Sequence, residues 1–319
     1  MPEQKAAIAS RDDRRRRLHL EPAIGIPAAS AGNGGVQSVA SDLVARVPLR
    51  FTEGWFANHA ERKQLLALGF RVDTGGTHLS RTMMLAELRH VLEADAELTP
   101  ERLKSFVLDE NVLQKRTGSA RRLSLRHLRE LYGLGGPQPI LWAMIALWPR
   151  AGEGQPMLAF LAAAAREAFL RESAKVVLVA PANARVGAAD FAASFEKGYA
   201  GHYTAKMLAK ICRNCASSGT QSGPLEGRVR KVRGKPEASS TAAAYAALLG
   251  SLAGFGGPAL LASKWIAVLD RSKTEVLALL RKAEGGGLLR LRAVGDVIEI
   301  EVERHMARAL EIPELADHG

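Results

Sequence analysis

Cysteine is almost absent: two occur in 319 residues, Cys212 and Cys215. Three positions apart on a stretch with helical character, they are poorly placed for a structural disulfide, and a reducing compartment fits. Aromatic residues are scarce as well, at 5%, and Ala and Leu dominate the apolar share, which favours helices packed on helices. No apolar run approaches the roughly 20 residues that span a bilayer. The first residues lack the apolar core of a secretory signal. The expectation is a soluble cytoplasmic protein with no membrane partner. Several catalytic patterns are also missing: there is no Gly-x-Ser-x-Gly elbow, no His-Glu-x-x-His helix and no carboxylate cluster beside a lysine of nuclease type. "DTGGTHLSRT" at 73–82 lacks the spacing and lysine of a phosphate loop and reads as a tight turn with a cap, His78 being structural. His202 with Cys212 and Cys215 falls short of a zinc ligand set. No catalytic residue, metal or cofactor is expected.

What the chain does have is basic charge. Lys and Arg number 44 against 33 Asp and Glu, a formal net charge of +11. Such an excess speaks to partners rather than to fold, and nucleic acid is the first candidate. The surplus is concentrated in 102–129 and 206–235, whereas the tail from Asp296 onward is acidic. Clustered charge of this kind is the footprint expected of a polyanion-binding surface.

The length allows two or three domains. Residues 1–50, with "RDDRRRR" and a Gly-rich stretch, read as a mobile basic arm. An N-terminal helical unit of helix-turn-helix type is expected over 51–136. Phe51, Trp55 and Phe56 anchor its start, and three helices surround a basic turn. One of these helices is expected from Thr77 or Ser80, another after the Thr99-Pro100 cap signal, and a third up to Gly133. A central helical unit over 137–236 buries Trp142, Met144, Trp148 and Met157, then carries helices near 188–197 and 204–216 before a loop and a basic wing-like segment. The C-terminal unit, 237–319, is the clearest: a helix, a Gly-Gly-Pro turn, a second helix, a helix capped by Ser272 with Glu275 at its third position, and two alternating strands. That order is the one found in winged helix-turn-helix units. The fold class is mainly α, a multi-helix body with winged helix-turn-helix units and short β-hairpins.

Candidate DNA contacts follow from the charge clusters. In "QKRTGSARR" the cations Lys115, Arg116, Arg121 and Arg122 surround Thr117 and Ser119, where amides at a helix start can hold a phosphate; Ser119 also fits an ordinary N-cap. Downstream, Arg228, Arg230, Lys231, Arg233 and Lys235 crowd one short tract, preceded by Ser218 and Gln221, whose polar groups suit phosphates or base edges and equally suit caps and turns. On the capped C-terminal helix lie Lys273, Thr274 and Arg281, with Leu277 and Leu280 assigned to its buried side. Glu275, Glu284 and the acidic hairpin oppose close phosphate contact there and leave protein binding open for this unit.

At "DENVLQKRTGSARRLSLRHLRELY", followed by "YTAKMLAKICRNCASSGTQSGPLEGRVRKV", the chain resembles the BrxA family of BREX phage-defence systems, over about residues 75–235. The resemblance implies a helical, non-enzymatic, double-stranded DNA-binding accessory protein. It places DNA contacts at Lys115, Arg116, Ser119 and Arg121 and around Arg228, Arg230 and Lys231. The basic arm and the extra C-terminal unit depart from that pattern. Two other readings stay open: a winged-helix adaptor for proteins of the same defence system, and an unrecognised nuclease.

Overall fold

The computed structural model describes residues 53–72, 76–94, 98–199, 201–294 and 297–316, all within a unit running from Arg46 to Gly319. The arm expected at 1–50 and Phe51 lie outside the described residues. The protein is mainly helical, with two short antiparallel strand pairs. Among the described residues, no helix is long and apolar enough to cross a membrane.

Helix α1, Arg62–Leu68, stops at Gly69, whose φ of 108° is open to glycine without a Cβ penalty. Its entry is fixed by aromatic packing: Trp55 is fully buried and meets Trp265 edge-on at 4.8 Å between ring centroids. A short 3-10 turn, Thr77–Leu79, precedes α2, Leu85–Ala94. The helix expected from Thr77 or Ser80 therefore starts later. Met84 takes a φ of 54°, and the amides of Met83 and Leu85 are satisfied from across the fold by Ser218 Oγ (2.9 Å) and Gln221 Oε1 (3.1 Å). Helix α3, Pro100–Leu108, is capped by Thr99, which accepts from the Arg102 amide. Helix α4, Gly118–Tyr132, is capped by Thr117, which accepts from the Ala120 amide, and ends at Gly133 with φ 53°. Ser119, a candidate cap by sequence, lies inside this helix.

Helices α5 (Pro139–Ala151), α6 (Gln155–Arg166) and α7 (Ala168–Val179) form the centre of the body. Met144, Trp148 and Met157 are buried there, and Trp142 is half-buried with its indole N–H on the Gly136 carbonyl. Helix α8 spans Ala188–Tyr199, and α9 spans Ala205–Ser222, capped by Thr204. Strands β1 (Leu225–Glu226) and β2 (Val232–Arg233) pair antiparallel, Leu225 opposite Arg233.

Helix α10, Ser240–Leu252, is buried on every side from Thr241 to Gly250, as expected of a helix apolar all round. Its alanines let the helix at Lys273–Gly285 and the central helices approach closely. Helices α11 (Gly257–Ala262) and α12 (Lys264–Ala267) follow, then α13 (Lys273–Gly285). The latter opens with a reciprocal capping box between Ser272 and Glu275. Val276 and Leu280 are buried on it, with Leu277 half-buried. Strands β3 (Arg290–Val294) and β4 (Val297–Glu301) form a five-pair antiparallel ladder, and α14 (Glu303–Leu310) closes the chain against the body.

One hydrophobic core takes in residues from Trp55 to Leu315, with side chains from all three sequence segments 51–136, 137–236 and 237–319. A second, smaller cluster joins α7, α8, α9 and β1 through Phe169, Phe191, Phe195, Ile211, Cys212, Cys215 and Leu225. This cluster is the base on which the first hairpin stands.

Candidate nucleic-acid interface

The basic turn between α3 and α4 is built by local hydrogen bonds. Asn111 and Gln114 adopt positive φ, and the Asn111 side chain accepts from the Lys115 amide at 2.8 Å, an Asx-type closure. Two of the predicted cations are spent on the fold. Lys115 Nζ meets Glu87 of α2 at 2.9 Å, and Arg121 donates to the Leu108 carbonyl at the end of α3 at 2.8 Å. Thr117 is occupied as the cap. Arg116, Ser119 and Arg122 remain exposed, Arg122 donating to Ser119 Oγ at 3.3 Å.

Beyond this turn, α4 continues the cationic face with Arg126 and Arg129, which the sequence reading did not single out. Arg122, Arg126 and Arg129 are exposed, spaced four and three residues apart on one side of the helix. They line a cleft of about 310 Å³ together with Arg71, Leu125 and Glu130. The heptad-like "RRLSLRHLREL" carried the signal: Leu125, Leu128 and Leu131 are buried, so the intervening arginines had to face outward.

Downstream, the helix expected to end near Ala216 runs six residues further. Ser218, Thr220 and Ser222 return their hydroxyls to the carbonyls four residues back, at 2.9, 3.2 and 2.9 Å, which removes their competition with the helix. Gly219 admits Leu225 against the helix. Ser218 is fully buried and offers no surface to a duplex, whereas Gln221 is half-buried and uses its Oε1 on the Leu85 amide.

The tract 228–235 divides sharply. Arg233 is 5% exposed, pairs with Asp270 at 2.8 Å and donates to the Pro224 and Gly234 carbonyls. Lys235 pairs with Glu275 at 3.2 Å. Lys231 donates to Thr220 Oγ1 at 2.6 Å, and desolvation lowers its pKa. Arg228 and Arg230 are exposed at the hairpin tip, on either side of Val229, which is 90% exposed. Gly227 turns this tip with φ 90°, where a Cβ would overlap the Arg230 carbonyl oxygen. Contacts connect the two basic regions through α2: Lys231 holds Thr220, the adjacent Gln221 holds the Leu85 amide, and Glu87 holds Lys115. On α13, Lys273, Thr274 and Arg281 are exposed.

Behind these surfaces lies a buried polar network. His78 Nε2 is 2.8 Å from Ser218 Oγ and its Nδ1 is 3.4 Å from Glu167, with all three side chains buried. Asn214 donates to the His78 carbonyl at 2.9 Å. A second arrangement orders Ser80 Oγ, His127 Nε2 and Nδ1, and Glu130 Oε2, with separations of 3.1 and 3.0 Å. The first resembles a hydrolytic triad in order only, because no substrate reaches a serine with zero exposure. Both tie the 77–80 turn to α4 and α9. Cys212 and Cys215 lie in the apolar cluster, where burial pushes the Cys212 thiol up to about 11 and Cys215 well above its ordinary value. Among the described residues, no three His, Cys, Asp or Glu side chains are grouped to hold a metal ion.

Comparison with protein-family models gives no match, and comparison with curated proteins gives none either.

Proposed function

We propose that the protein is a non-enzymatic, cytoplasmic double-stranded DNA-binding accessory factor of a prokaryotic anti-phage defence or DNA-modification system, similar to the BrxA family. The observation that carries this reading is the first hairpin. It presents Arg228 and Arg230 to solvent with no carboxylate partner among the described residues, while the neighbouring cations are used to hold it in place. Arginines flanking an exposed apolar residue suit a narrow groove, where guanidinium groups follow the phosphates and the apolar tip rests on sugar or base edges. Arg116 and Arg122, at the start of α4, supply further phosphate contacts. These position a duplex without reading its sequence. In the C-terminal part, α10 to α13 and the β3–β4 hairpin form the winged helix-turn-helix of this reading.

An anisotropy titration with duplex DNA over a salt series tests it. Affinity falls linearly in log salt, and the double variant R228Q/R230Q lowers the slope by up to about 1.8, on the order of 0.9 per lost phosphate contact. Absence of duplex binding at low salt refutes the reading. A second reading, an adaptor for partner proteins, draws on the C-terminal hairpin. Val294 and Val297 are 79% and 74% exposed there, on strands whose Arg290 and Arg292 stand opposite Glu301 and Glu299 and leave no cationic excess for phosphate. A stoichiometric protein complex surviving high salt, with no duplex binding by the isolated chain, would favour it.

A further inference from the structure

The cleft beside α4 brings four guanidinium groups together around one carboxylate. Arg122, Arg126 and Arg129 come from the helix and Arg71 from the segment after α1, with Glu130 at the wall. Among the described residues none of the four arginines is ion-paired. The contacts of Arg122 and Arg129 are neutral, Ser119 Oγ at 3.3 Å and the Pro100 carbonyl at 3.2 Å. Glu130 offsets only one of the four charges, and its Oε2 is turned to Thr77 Oγ1 and His127 Nδ1, each at 3.0 Å. Behind the wall, buried Arg166 donates to the Glu130 and Gly69 carbonyls at 2.8 and 2.6 Å. Burial and the nearby Arg71 charge push its pKa down to about 10. The cleft thus concentrates positive potential that the fold leaves uncompensated.

Like charges gathered in a concavity raise the free energy of the empty site and lower it when an anion enters. Planar guanidinium forks match phosphate oxygens in pairs, which a lysine cluster does not. Charge narrows the ligand further. A phosphodiester offers one charge on two free oxygens, whereas a terminal phosphate offers up to two charges on three, and the open depression of about 310 Å³ beside α4 leaves room for it. We propose that this cleft is a binding site for a terminal phosphate or polyphosphate, contributed either by a free nucleotide or by the phosphorylated 5′ end of a DNA strand. Arg126 and Arg129 grip the phosphate oxygens, Arg71 closes the opposite side, and the Glu130 Oε2, engaged by Thr77 and His127, is outweighed by the four guanidinium charges.

The test is calorimetric titration of the full chain with pyrophosphate at low salt. One binding site is expected, with R126Q and R129Q each weakening affinity by on the order of tenfold or more and R228Q/R230Q leaving it unchanged. Both cleft positions are exposed, and unchanged far-ultraviolet circular dichroism separates lost binding from lost fold. Duplexes differing only in a 5′-phosphate or 5′-hydroxyl terminus distinguish the sources: preference for the phosphorylated end assigns the site to DNA termini, and pyrophosphate binding with no end preference assigns it to a free phosphoanion. No heat with millimolar pyrophosphate, or equal binding by R126Q, R129Q and the unaltered chain, overturns the proposal. A duplex closed at both ends by hairpin loops carries no terminal phosphate, so its binding reports on the proposed DNA function separately.

Discussion

Arg233 and Asp270 give the sharpest check on which cations build the protein and which meet a partner. Arg233 is 5% exposed, and its guanidinium reaches Asp270 at 2.8 Å, the Asp270 side chain being 33% exposed. Its backbone is pinned as well, its amide donating to the Ala184 carbonyl at 2.8 Å and its carbonyl accepting from Asn183 at 2.9 Å. Asp270 has a φ of 54°, so D270G removes the carboxylate without forcing a Cβ into the left-handed region. Stranding one member of a buried pair costs about 3–5 kcal/mol. Water reaches the Asp270 side, which puts D270G near the lower limit, about 3 kcal/mol. At roughly 2–4 °C per kcal/mol for a chain of this size, the melting temperature falls by about 6–12 °C. R233M removes the charge and keeps an apolar stem, while Asp270 turns to solvent. Its cost is smaller, about 1–2 kcal/mol. Thermal and urea unfolding of both variants, with duplex titrations over a salt series, provide the readout. The expected result is D270G less stable than R233M, and R233M with the salt slope of the unaltered protein. An R233M slope reduced as much as that of an Arg228 variant would show that Arg233 reaches phosphate, and the argument from burial would fail.

Ser218 accepts from the Met83 amide and contacts His78 inside the fold, so S218A strands a buried amide and costs about 1–3 kcal/mol; urea unfolding that leaves the midpoint unmoved would contradict this. Ser272 caps α13, and S272A costs about 1 kcal/mol. The Ser272 amide, then its hydroxyl, then Lys235 hold the Glu275 carboxyl down at about 2. This folded value lies below the ordinary 4.5, so the stability linked to it is complete above about pH 4.5 and is lost as pH falls through about 2. Carboxyl resonances followed by NMR in S272A should show Glu275 titrating partway back toward its ordinary value, and an unmoved midpoint would sink the assignment.

Local chemistry was legible in the sequence where a few adjacent residues settle it. Thr99-Pro100, Gly133 and the Ser272–Glu275 box marked helix ends that the structure keeps, because each satisfies its own orphan amides or carbonyls nearby. The start of α2 was not legible, since its amides are satisfied by Ser218 and Gln221, 135 and 136 residues away. The length of α9 was hidden for a related reason. Ser, Thr and Gly in "SSGTQS" read as a loop, but their hydroxyls fold back on the helix and Gly219 makes room for Leu225. At the candidate interface, charge density was visible and partnership was not. Arg233 and Arg230 are the same residue type in one tract and differ in burial and in partners, Asp270 and the Pro224 and Gly234 carbonyls for Arg233, which packing alone supplies.

That difference bears on how a basic tract should be interpreted. Lys231 anchors the hairpin base to α9, Arg233 ties the returning strand to the loop before α13, and Lys235 reaches the capped end of α13. Each interaction gives a basic side chain a partner within the fold, and each restricts the hairpin. Arg228 and Arg230 are left exposed on a restrained loop and give up less conformational freedom on meeting a phosphate than they would on a free linker. The consumed cations are therefore part of the binding device: reversing them loosens the support, whereas reversing the two at the tip removes the contact itself. Variants at 231 or 233 should consequently lose stability before affinity, the exposed Lys235–Glu275 pair contributing little, and those at 228 and 230 should lose affinity at constant stability.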